Sequence, residues 1–163
     1  MQRMGSMGNE MLQTRLDDVT APQMMLRTAI CHAFREARET VQRVGTFVPF
    51  CVTCTAEGFD ITEHPGSNPA EVYASLDRHL AGTDSLGYAL AYDGSIAHQD
   101  GDRAALVCEA ALSCGVAPRM FAQPYAIGPS GYVFQDVIEV GFLLDGRCGQ
   151  AASAEGPVSV SNA

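Results

Sequence analysis

The chain has 163 residues, 47% of them hydrophobic, a formal net charge of −9 and no lysine among its 10 basic residues. That length and hydrophobic share predict one globular domain that buries a core without staples, and exclude a disordered chain. The acidity argues against a nucleic-acid binder, which needs a basic face to release counterions from the phosphate backbone.

No apolar run approaches the ~18 residues of a membrane span. The first stretch, MQRMGSMGNEMLQTRLDD, lacks the continuous apolar core of a signal peptide. Both readings predict a cytoplasmic protein with no membrane partner, whose six cysteines stay reduced.

Residues 1–19 scatter Met1, Met4, Met7 and Met11 among Gly, Ser, Asn and Asp, and predict a flexible N-terminal arm. Thr20-Ala-Pro-Gln23 matches a capping box, with Pro22 allowed in the first turn. Leu26, Ile30, Ala33, Phe34, Ala37, Val41 and Val44 then recur at steps of three and four, one apolar stripe on a long helix. Gly45 sits where a left-handed cap belongs. Arg27, Arg35, Arg38 and Arg43, interrupted by Glu36 and Glu39, read as a solvated helix face rather than an anion site.

Phe47 to Thr55 (FVPFCVTCT) and Phe59 to His64 read as the arms of a β-hairpin around Ala-Glu-Gly. Pro49 places an edge or a bulge in the first arm. Asn68 is a good N-cap, Pro69 a good first helical residue and Glu71 the reciprocal partner three residues on. Val72, Tyr73, Leu76 and Leu80 share one side of that second helix, which Gly82 closes.

Ser85 to Gly94 (SLGYALAYDG) reads as a central strand entering an Asp-Gly turn. Residues 94–102 then read as a loop. Residues 103–113 (RAALVCEAALS) allow a helix or a strand, and the turn chemistry favours a strand paired with 86–93. Met120–Ile127 and Tyr132–Leu144 flank Gly-Pro-Ser-Gly and complete an antiparallel run. The Gly-, Ala- and Ser-rich residues 148–163 predict a flexible tail, leaving 20–147 as the single domain.

The expected order is α-β-β-α-β-β-β-β, an α+β class with a single mainly antiparallel sheet and helices packed on one face. That order, over about residues 20–144, resembles roadblock and profilin-like domains, small binding or dimerising platforms. The pieces YALAYDG (88–94) and FAQPY (121–125) look like segments of small uncharacterised bacterial α+β proteins. Neither resemblance implies a catalytic residue.

Several residue groups invite chemistry. Cys51-Val-Thr-Cys54 has redox or zinc spacing, but a regular strand would point the two thiols to opposite faces, roughly 10 Å apart at Cα. Zinc would need a second ligand pair, and no other C-x-x-C or H-x-x-H exists, so neither a metal nor a cofactor is expected. Cys51 and Cys54 remain candidate nucleophiles, with Cys31 beside His32 and the Cys108–Cys114 pair less marked. His64, with Asp60 and Glu63, could form a metal or acid–base site but reads as a solvated turn; His79 and His98 complete the histidines.

The most distinctive group is polar residues set within strands. If 86–93, 103–113 and 120–127 are neighbours, then Tyr88, Tyr92, Glu109, Gln123 and Tyr125 can line a ligand pocket. Within it Glu109 would be held by hydroxyl and amide donors. The alternative is an exposed sheet face carrying ordinary surface residues. No phosphate-loop, dinucleotide, serine-hydrolase or EF-hand pattern occurs. The leading expectation is a non-catalytic binding or dimerisation domain, a homodimer paired along the long strand 132–144. The alternatives are a small-pocket enzyme using Glu109 or a thiol, and an acidic inhibitor or immunity-type protein for a basic partner.

Overall fold

The computed structural model describes residues 20–113 and 117–142 together with the backbone of residues 161–162. The expected N-terminal arm lies outside the described residues, as does the tail apart from Ser161 and Asn162. Helix α1 spans Ala21–Val44 and opens with the capping box written in the sequence. The Gln23 N–H donates to Thr20 Oγ1 at 3.4 Å, and the Thr20 N–H donates back to Gln23 Oε1 at 3.1 Å. Gly45 closes the helix at φ 87°, a conformation that costs a residue with a Cβ, and its N–H reaches the Val41 carbonyl.

Strands β1 (Phe50–Thr55) and β2 (Gly58–Glu63) form the expected hairpin, with Phe50 opposite Glu63 and Thr55 opposite Gly58. Helix α2 (Pro69–Ala81) starts at Asn68, whose Oδ1 accepts the Glu71 N–H at 3.0 Å. The Glu71 carboxylate turns back one residue further than a capping box requires and accepts from the Ser67 N–H at 2.7 Å. Those bonds hold its pKa below the ordinary carboxylate value.

Strand β3 runs over Gly87–His98 and does not stop at Asp93-Gly94. The turn lies at Gln99-Asp100, with His98 opposite Gly101, and Gly101 takes the positive φ of 111°. The extension has a physical reason. Gly94 is flanked on both sides, by Ala105 of β4 and by Asn162, and Ile96 continues the buried alternation begun by Tyr88 and Tyr92. Strand β4 occupies Gly101–Leu112, so the ambiguous segment is a strand paired with β3, as the turn chemistry required.

Strand β5 (Arg119–Gly128) follows, and the expected last strand is broken into β6 (Gly131–Phe134) and β7 (Ile138–Phe142), both paired with β5. Pro124 has no N–H for the ladder at the break. Its carbonyl accepts the Gln135 N–H instead, while the Gln123 side chain takes the Gln135 carbonyl. Strand β8, Ser161–Asn162, pairs with β3. The sheet order is β2-β1-β3-β4-β5-β6, with every pairing antiparallel.

The α+β class and the order α-β-β-α-β-β-β-β stand as read from the sequence. The placement of both helices on one face does not. Helix α1 lays Ala29, Ala33, Phe34, Ala37 and Val41 on the face made by Phe50, Val52, Ala89, Ala91 and Leu106. Helix α2 lays Val72 and Leu76 on the opposite face, against Cys51, Tyr88 and Leu90. A strand covered on both sides must be apolar at consecutive positions rather than at alternate ones. Gly87 to Tyr92 is buried at every position, so that signal was present in GYALAY. Among the described residues no helix is long and apolar enough to cross a membrane.

Candidate functional site

Glu109 stands in β4 on the α2 face, with Leu90 opposite it on β3 and Met120 opposite it on β5. It is wholly buried, and neither carboxyl oxygen makes a well-formed hydrogen bond among the described residues. Burial pushes its pKa up to about 7, while the neighbouring hydroxyls of Tyr88 and of Tyr73 on α2 pull it back down. Burial likewise drives the Tyr88 and Tyr92 phenols far above their ordinary value, with the Glu109 charge adding to the effect in both. The group forms a closed acid beneath α2, able to hold a proton at neutral pH but without surface contact.

The five-residue pocket expected from the sequence divides across the sheet. Tyr88, Tyr92 and Glu109 share the α2 face, whereas Gln123 and Tyr125 lie on the α1 face. The register decides this: Met120 opposes Glu109, so the odd-numbered positions Gln123 and Tyr125 point the other way. Gln123 Oε1 accepts from Arg38 Nη1 of α1 at 3.0 Å, and its Nε2 donates to the Gln135 carbonyl at 2.8 Å. The Tyr125 hydroxyl donates to Asp93 Oδ1 at 2.9 Å. Burial raises the Asp93 pKa, and that bond opposes the rise.

Cys51 and Cys54 point to opposite faces, as strand geometry demands, with Cys51 in the α2-side core and Cys54 in the α1-side core. Burial pushes both thiols up to about 11, with Thr53 opposing the rise at Cys51. At neutral pH each stays protonated, the weakly nucleophilic form. Cys108 is buried too, and its pKa rises for the same reason. Cys31 is exposed, but His32 beside it accepts from Arg35 Nη2 at 2.7 Å and leans on Phe59, with 5.5 Å between ring centroids. Cys114 lies outside the described residues.

The sequence missed a histidine pair under α2. His64, read as part of a solvated turn, is only 2% exposed. Its Nε2 lies 2.9 Å from Thr62 Oγ1 and its Nδ1 2.9 Å from Ser75 Oγ. His79 Nε2 lies 3.1 Å from Thr53 Oγ1, and the two imidazole rings are 5.5 Å apart. Burial first, and then His79, lower the His64 pKa. Asp60 and Glu63 are exposed, and among the described residues no group of three or more metal-ligating side chains assembles. The hydroxyls on neighbouring strand positions, Thr53 and Thr62, were the available clue, since a buried imidazole needs such partners.

The sheet also ends in two unlike edges. On β2, Phe59 and Ile61 are exposed, but so are Asp60 and Glu63, with the exposed Glu57 in the turn before it. Along β6, β7 and the connection between them the exposed residues include Val133 at 60%, Val137 at 40% and Ile138 at 45%, and Ile127 of β5 at 73% stands beside them. Among the described residues that edge carries two exposed acids, Asp136 in the β6–β7 connection and Glu139, which is taken up by Arg119, whose Nε donates to Glu139 Oε1 at 2.8 Å. In comparisons with known proteins, no family model, no curated protein and no solved structure matches the chain.

Proposed function

We propose that the protein is a non-catalytic binding domain that forms a homodimer through the β6–β7 edge. The observation that carries this reading is the exposed apolar set at the β6–β7 edge, Val133 on β6, Ile138 on β7 and Val137 in the connection between them, with Ile127 of β5 alongside. An edge strand presents unpaired backbone groups, and apolar side chains there invite a second strand. The opposite edge argues by contrast. On β2 the acids Asp60 and Glu63, with Glu57 in the turn before it, guard the edge, and two such edges would repel each other in a chain of net charge −9. A twofold axis beside β7 pairs like patches with less of that repulsion, since Arg119 offsets Glu139 and leaves Asp136 as the remaining acid among the described residues there.

Sedimentation of the full chain tests this. A dimer at micromolar concentration that dissociates in Val133→Lys combined with Ile138→Lys supports it. A strict monomer across that range overturns it.

A second reading rests on the buried Glu109. A fully covered carboxyl held near neutrality by burial is the type of group that serves as an acid–base residue in a small pocket. Tyr88 and Tyr73 would orient it. A ligand whose binding shifts the Glu109 carboxyl resonance, and is lost in Glu109→Gln, would favour this reading over the first.

A further inference from the structure

A groove of about 510 Å3 runs between the first half of α1 and strands β4, β5 and β7, on the face away from Glu109. Leu26 and Ile30 of α1 form one wall, Phe121 and Val137 the other, and Ala110 lies at its base. Its volume falls within the ~300–1,000 Å3 typical of small-ligand sites.

The rim differs from the rest of the molecule in charge. Arg27 and Arg119 stand there with Glu139, two cations against one anion, on a chain whose net charge is −9. Arg119 is committed, since it donates to Glu139 and lies over the Phe121 ring at 5.3 Å. Arg27 is exposed and makes no ion pair among the described residues. An apolar trough with one uncommitted guanidinium at its lip is complementary to a body without charge that ends in an anion. A guanidinium suits a carboxylate because its parallel N–H groups match the two oxygens.

We infer that this groove binds a small amphipathic carboxylate, its apolar part on Leu26, Ile30, Phe121 and Val137 and its carboxylate on Arg27. A basic or neutral ligand of equal size would leave Arg27 unpaired at the same apolar cost.

Decanoate and decanol, titrated separately into the full chain, test the assignment by calorimetry, with alkylation of the exposed Cys31 in the groove as a second readout. Decanoate binding about threefold or more tighter than decanol is expected from a partly exposed ion pair. Arg27→Gln removes the preference while decanol binding persists, and decanoate slows the mass-mapped alkylation of Cys31. Equal affinity for the two probes, or an unchanged preference in Arg27→Gln, overturns the carboxylate assignment. No binding of decanoate at millimolar concentration, nor of decanol up to its solubility limit, overturns the site. Repeating the titration with the Val133→Lys, Ile138→Lys chain separates the groove from self-pairing, since neither residue lines it.

Discussion

Arg38 of α1 donates to Gln123 of β5 at 3.0 Å, and the same glutamine donates to the Gln135 carbonyl at 2.8 Å. One amide therefore ties the long helix to the break between β6 and β7. Gln123 is 7% exposed, so both bonds are partly shielded from water. Gln123→Leu fills the space but strands the Gln135 carbonyl. We expect a loss of about 1–3 kcal/mol in urea unfolding, with hydrogen exchange at residues 134–138 rising more than in β3.

The acid beneath α2 makes stability depend on pH. Glu109 has an ordinary value of 4.5 and is raised to about 7 in the folded chain. Between those pH values the folded state binds the extra proton, so stability falls as pH rises through the window and the contribution is gone above it. The loss amounts to about 3 kcal/mol for a group this deeply buried. Glu109→Gln keeps the shape without the charge. Urea midpoints at pH 5 and pH 8 should diverge in the parent chain and converge in the variant. Parallel behaviour of the two chains would contradict the placement of the charge.

His64 acts in the opposite sense. Its folded pKa lies below 6.5, so the unfolded chain takes up the proton first as the solution becomes acidic. The neutral imidazole's contribution is present above pH 6.5 and is lost as pH falls through the lowered value. His64→Gln can still meet Thr62 or Ser75 but does not titrate. Its stability profile below pH 6.5 should be flatter than that of the parent, read by thermal unfolding in a pH series.

Gly87 offers a purely steric test. A Cβ at that position would sit 2.9 Å from the Ala111 carbonyl oxygen, a backbone atom that cannot swing aside. Gly87→Ala should cost about 1–3 kcal/mol, with the change concentrated at the Gly87–Leu112 end of the β3–β4 ladder. A neutral effect in chemical denaturation would show that the ladder end yields easily.

The parts legible in the sequence are those fixed by nearby residues. Thr20 with Gln23, Asn68 with Glu71, and Gly45 each state a helix end within four positions, and all three ends fall where they were read. The strand state of β4 followed from its turn, although that turn is at Gln99-Asp100 rather than Asp93-Gly94. The candidate pocket was harder because its membership depends on register between β4 and β5. Their connection is no tight hairpin, so no turn residue announces that Glu109 meets Met120. A shift of one position exchanges the faces, so strand adjacency alone does not decide that Gln123 and Tyr125 lie on the side away from Glu109. His64 and Arg38 were read as solvated because their partners, Ser75 and Gln123, are 11 and 85 residues away.

Cys51 and Cys54 sit three positions apart yet under different helices. Each is therefore a native reporter for one layer: Cys54 becomes available when α1 lifts, Cys51 when α2 does. The labelling rates of these two sulfurs, followed in one sample, would show which side of the sheet peels first, without any introduced probe.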